Sequence, residues 1–144
     1  MKKRIMTLAL LLIAFAATAL AQQGLKVADI FSRFGRERGC KMVEMHDTQL
    51  RGYELKTYQS LTYRTYGEEI APLLEEDRRK AKKIREVVSD GRVSSGYYIL
   101  PPTADGQNRY ILYTQKQDKS GAVIYIEGAL QPDDILKLCY QRKK

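Results

Sequence analysis

Apolar residues recur along this chain with two different periods, and the switches between them mark its elements. Val27, Ile30, Phe31 and Phe34 fall at i, i+3, i+4 and i+7, with Lys26, Asp29 and Arg33 off that stripe and Gly35 where a C-cap belongs. This spacing predicts a short amphipathic helix from Leu25 to Phe34. Cys40 to Met45 sets Cys40, Met42, Val43 and Met45 around Lys41 and Glu44 and reads as a strand, and Asp47 to Gly52 reads as a turn. Tyr53 to Tyr66 crowds tyrosine and threonine together, which is strand composition, although Leu55 to Tyr58 also fits one helical turn. From Glu68 to Ser89, the residues Ile70, Leu73, Leu74, Ala81, Ile84, Val87 and Val88 repeat at helical spacing, and Asp90-Gly91 closes the run. One long surface helix is predicted there, with Pro72 near its first turn and Glu75–Arg79 and Glu76–Lys80 placed to pair at i, i+4.

Three further strands are predicted at Tyr97 to Leu100, Arg109 to Gln115 and Ala122 to Glu127. The separators Ala104-Asp105-Gly106 and Asp118-Lys119-Ser120-Gly121 make them a meander of hairpins. Pro132 at a helical N1, the acids Asp133 and Asp134 behind it, and Ile135, Leu138 and Cys139 on one face predict a C-terminal helix. The order α-β-β-α-β-β-β-α implies an α+β fold, an antiparallel sheet of about five strands with helices on one face. Alternation divides the last two strands into Leu112, Ile124 and Ile126 on one face and Ile111, Tyr113, Val123 and Tyr125 on the other, and neither set is polar. A sheet covered on one side leaves the other face to solvent, and tyrosine, with an apolar ring and a polar tip, suits a half-wet contact. Ile111, Tyr113, Val123 and Tyr125 are therefore the candidate binding surface.

The first 21 residues carry a different pattern. Met1-Lys2-Lys3-Arg4 is a basic start, Ile5 to Ala17 is apolar apart from Thr7, and Ala19-Leu20-Ala21 is a cleavage pattern before Gln22. Residues 1–21 read as a cleaved signal peptide and 22–144 as a single domain. No Cys follows the apolar run, so no lipid anchor is expected. No second apolar stretch is long enough to span a bilayer. The expected location is exported, periplasmic or facing the outer membrane. Loss of Lys2, Lys3 and Arg4 lowers the net charge from +8 to +5. The cationic run from Arg78 to Arg85 is followed by Glu86 and preceded by Glu75, Glu76 and Asp77, so it reads as a solvated helix face, and export argues against nucleic acid.

Catalytic chemistry is sparse. His46 is the only histidine, which removes every two-histidine metal site, and no G-x-S-x-G, H-E-x-x-H, phosphate loop or C-x-x-C occurs. No metal, cofactor or enzymatic activity is expected, and His46 reads as a turn residue. The competing readings are a small hydrolase or isomerase centred on His46, and a cystatin-like inhibitor, whose Q-x-V-x-G hairpin is missing. Cys40 and Cys139 allow one disulfide in an oxidising compartment, closing a loop of ~100 residues worth about 4.7 kcal/mol on the chain-entropy model. Two buried free thiols are the alternative.

The export signal, the Phe31/Phe34 helix, Met42-Val43-Glu44, Leu55-x-x-Tyr58, Leu61-x-Tyr63-Arg64 and Glu75-Glu76-Asp77 together resemble an uncharacterised family of small exported proteins from Gram-negative gut anaerobes. The resemblance covers most of the mature chain and implies location, with no functional residues to carry over. The expectation is an exported, non-catalytic envelope protein, a binding or assembly module whose partner is an envelope protein or glycan, with a homodimer left open.

Overall fold

The computed structural model describes residues 25–139. The signal segment and its cleavage site lie outside them. In chain order the elements are α1 (Lys26–Phe34), β1 (Cys40–Leu50), β2 (Tyr53–Tyr63), α2 (Gly67–Lys80), β3 (Lys82–Ser89), β4 (Arg92–Leu100), β5 (Asn108–Gln115), β6 (Gly121–Gly128) and α3 (Pro132–Cys139). The six strands form one antiparallel sheet in the order β1-β2-β6-β5-β4-β3. After the β1–β2 hairpin, α2 carries the chain across the sheet to the far edge, and the β3–β6 meander returns until β6 pairs with β2. Among the described residues, no helix is long and apolar enough to cross a membrane.

Two expected boundaries move. The predicted turn from Asp47 shrinks to Arg51-Gly52, both at positive φ, so β1 runs on through His46 to Leu50 opposite Tyr53. The long helix expected to Ser89 ends at Lys80, and Lys82–Ser89 is the sixth strand, paired from Lys82↔Ile99 to Ser89↔Arg92 with two register shifts. Its punctuation explains the difference. Asp90 at φ 53° and Gly91 at φ 76° are both left-handed, the conformation of a two-residue hairpin turn rather than of a helix end. Val87 and Val88, which continued the helical stripe, are 43% and 59% exposed.

The helices do not share one face. Val27, Ile30, Phe31 and Phe34 of α1 and Ile70 and Leu74 of α2 pack with Leu61, Tyr63, Tyr98, Ile111, Tyr113, Val123 and Tyr125. On the opposite face Ile135 and Leu138 of α3, with Leu130, cover Leu55, Tyr97, Tyr110, Leu112 and Ile126. Both sets of inward-pointing strand residues are apolar because both are covered, so the sheet forms the middle of three layers.

Asp77 ties the two helices of one face together. Leu25 provides no side-chain cap to α1. The backbone N–H groups of Lys26 and Val27 instead donate to the two carboxylate oxygens of Asp77 on α2, each at 2.7 Å. Burial pushes that carboxyl up from its ordinary value, while these two bonds and Lys80 pull it down. Glu76, one residue earlier, reaches Lys26 at 3.6 Å, and Glu75 pairs with Arg79 at 3.4 Å as its i, i+4 spacing predicts.

Candidate functional site

The four residues expected to form a contact surface are core. Ile111, Tyr113, Val123 and Tyr125 are 1%, 5%, 0% and 0% exposed beneath α1 and α2. Each tyrosine ring is buried while its hydroxyl travels to the rim of the core: Tyr125 donates to Glu127 Oε1 at 2.8 Å and Tyr113 to Gln115 Oε1 at 2.6 Å. Tyr63 donates to that same Gln115 oxygen at 3.1 Å, and Tyr98 to Glu86 Oε2 at 2.7 Å. The last contact depends on Gly96, because a Cβ there would collide with the Tyr98 ring folded over it. Burial raises the Tyr63, Tyr113 and Tyr125 phenols above their ordinary value and pushes Tyr98 up to about 12, with Glu86 adding to the latter.

The backbone speaks against the bridge that Cys40 and Cys139 allow on sequence. Cys40 is a free thiol at the start of β1, packed against the α1–α2 face. Arg51, at the far end of that strand, donates to the Leu138 carbonyl at 3.0 Å. The backbone at Cys139 is therefore held beside the hairpin tip, roughly 30 Å along β1 from Cys40 at a rise of about 3.3 Å per residue. A bridge needs Cα atoms within about 7 Å. The Cys139 side chain lies outside the described residues.

His46 stands on the exposed edge strand rather than in a turn. Its Nε2 lies 3.0 Å from Glu44 Oε1 and its Nδ1 3.4 Å from Thr57 Oγ1. Hydroxyl, imidazole and carboxylate follow one another in the order of a hydrolase triad. The His46 and Glu44 side chains are each 43% exposed, and Glu44 also accepts from Gln59 Nε2 at 3.1 Å. Water competes for every contact in this line, and the neighbouring cavity of about 490 Å³ at Asp47, Thr48 and Gln49 is not lined by His46, Glu44 or Thr57. Among the described residues, no group of three or more His, Cys, Asp or Glu side chains is placed to hold a metal.

A concave site lies elsewhere, between α2 and the β3–β4 hairpin. It encloses about 470 Å³, with Pro72, Glu75 and Arg78 on the helical wall, Arg92 on the hairpin and Tyr113 and Gln115 forming the floor. The helix supplies its wall at the i, i+3 spacing of Pro72, Glu75 and Arg78, while β5 supplies its floor at the i, i+2 spacing of Tyr113 and Gln115. Arg78 is fixed from behind by Glu86 Oε2 at 3.4 Å. Burial opposes its charge, but the Tyr98 hydroxyl and the Glu86 and Glu75 carboxylates outweigh it, so the guanidinium is held protonated. Its Nε is buried with no hydrogen-bond acceptor, an arrangement that ordinarily costs about 1–3 kcal/mol. Local periodicity gave no hint of this groove, since its helical and hairpin sides are brought together only by sheet pairing.

No curated protein and no solved structure matches the chain. One family model does, over residues 14–139, and by that match the chain belongs to the family of unknown function DUF6108.

Proposed function

We propose that the protein is an exported, non-catalytic binding module and that its contact surface is the groove between α2 and the β3–β4 hairpin. The observation that carries this reading is the groove itself: about 470 Å³, within the range of small-ligand sites, with a buried guanidinium N–H that has no partner. Of the tyrosines favoured on composition, Tyr125 is occupied in the core and Tyr113, equally buried, meets the groove only at its floor. Its ligand is a small molecule, or a side chain or sugar of an envelope partner.

Filling the groove tests the reading. Ala71 lines it, so Ala71→Trp should block capture of ligand or partner from native envelope extract by immobilised residues 22–144, while Val43→Trp on the distant edge strand should not. Equal capture by both variants would remove the groove from consideration. Export rests on the basic-apolar-Ala-x-Ala pattern of residues 1–21. An intact mass beginning at Gln22 in the envelope fraction supports it, and retention of Met1 there counts against it.

A second reading, a hydrolase centred on His46, has the Thr57–His46–Glu44 line in its favour. It requires that purified protein hydrolyse an activated ester and that His46→Ala abolish the turnover; identical rates for the two proteins exclude it.

A further inference from the structure

We infer that the groove between α2 and the β3–β4 hairpin receives an oxyanion, the carboxylate or phosphate group of its ligand. This deepens the binding reading above and rests on it. The argument is an inventory of which groups in the groove still have hydrogen-bonding capacity facing inward. Gln115 Oε1 already accepts from both Tyr63 and Tyr113, so the two tyrosine hydroxyls fix the orientation of the amide and leave its Nε2, a double donor, as the free end. Arg78 Nε is a buried donor without an acceptor, and its guanidinium is held in place by Glu86 and Tyr98. Arg92 is exposed on the hairpin wall and makes no ion pair among the described residues.

Two carboxylates, Glu68 and Glu75, also line the groove, and each pairs through one oxygen with a cation that does not line it. Glu75 faces Arg79 at 3.4 Å, Glu68 faces Lys119 Nζ at 3.1 Å, and Asp90 at the hairpin tip accepts from Gln117 Nε2 at 2.8 Å. Among the described residues, Arg92 is therefore the charged group of the lining that has no ion pair, and it stands beside the free Nε2 of Gln115. An ammonium ligand would meet guanidinium groups, and a neutral sugar hydroxyl would leave the charge unanswered. A carboxylate or phosphate accepts from Arg92 and from Gln115 Nε2 at once, beside the fixed Arg78 charge, and charge-assisted bonds to arginine are the strong ones.

The test uses residues 22–144 labelled with ¹⁵N, followed through the arginine Nε–Hε correlations, with sodium phosphate and sodium glutarate added separately at constant ionic strength and methyl glucoside as the neutral control. A saturable shift of the Arg78 Nε–Hε signal with either anion and none with the glucoside is expected, and the anion that saturates first identifies the source group. Arg92→Gln, an exposed substitution that leaves the core untouched, should weaken that binding about tenfold. Shifts that grow without saturating, or that Arg92→Gln leaves unchanged, overturn the inference. If the anions fail while Ala71→Trp still abolishes capture, the groove binds a ligand of another chemistry. If both fail, the groove reading itself falls.

Discussion

Tyr63, Tyr97, Tyr98, Tyr110, Tyr113 and Tyr125 each combine a buried ring with a hydroxyl that reaches a partner, and this pairing decides how substitutions act. Tyr113 and Tyr125 are 5% and 0% exposed, and removing a buried aromatic ring costs about 3–5 kcal/mol. Tyr113→Ser with Tyr125→Ser should therefore unfold the domain, read as loss of native circular dichroism; a folded double mutant would return these rings to the list of contact residues. The same burial sets an alkaline limit. Tyr98 is pushed up to about 12 by burial and by Glu86, and Tyr63 and Tyr125 are raised as well, against an unfolded phenol near ~10. A group whose folded pKa is raised stabilises fully below its unfolded pKa and loses that contribution as pH climbs through the folded one. Stability should hold up to about pH 10 and fall toward 12. Absorbance at 295 nm should show the buried tyrosines ionising only as circular dichroism is lost. Ionisation of all ten tyrosines near pH 10 with the fold intact would contradict this.

Elements here are held by contacts that skip over the sequence. The first turn of α1 is satisfied from α2, through the two 2.7 Å bonds to Asp77, so Asp77→Ala leaves two backbone donors of a nine-residue helix without acceptors. We expect a loss of about 1–3 kcal/mol in urea unfolding, with faster amide exchange concentrated in α1. Uniform exchange across the sheet and α1 would show that Asp77 does not act as a cap. The strand β3 gives a sharper discrimination. Were Glu68 to Ser89 one helix, Val88 would sit in its apolar stripe and Val88→Thr would be felt. As an edge-strand residue 59% exposed, it should tolerate the change within about 0.5 kcal/mol. A melting point lowered by many degrees would favour the helix.

At the scale of the whole molecule the sheet keeps its two cysteines apart. Cys40 belongs to the α1–α2 face, where burial and Glu37 raise its thiol above the ordinary value, and the chain reaches Cys139 only beside Arg51, at the other end of β1. A reductant should leave the melting temperature unchanged, and unreduced, denatured protein should take up two alkyl groups. A melting point that drops by several degrees on reduction would demand a different path for the C-terminal helix. The crossing of α2 over the sheet also builds the groove, since it brings a helix that follows β2 against the hairpin of the opposite edge.

What depends on neighbours in sequence could be read from the sequence. The α1 stripe, the three strands of the meander, the Pro132-Asp133-Asp134 start of α3 and the Glu75–Arg79 pair all follow from side chains a few positions apart, where periodicity, capping and turn chemistry suffice. Lys82 to Ser89 could not be read that way: Ile84, Val87 and Val88 satisfy a helical stripe, and only pairing with β4 makes them a strand. The apolar character of both strand faces was visible too, but whether Tyr113 and Tyr125 meet solvent or a helix depends on where α1 and α2 pack. Glu76 reaches Lys26, fifty positions away in the chain. Arg78, Arg92 and Gln115 share no local pattern at all and become one site only when the sheet closes. The sequence by itself determined the elements whose signals are local. Tertiary structure decided burial, strand pairing and the groove, because each depends on a partner that local patterning cannot specify.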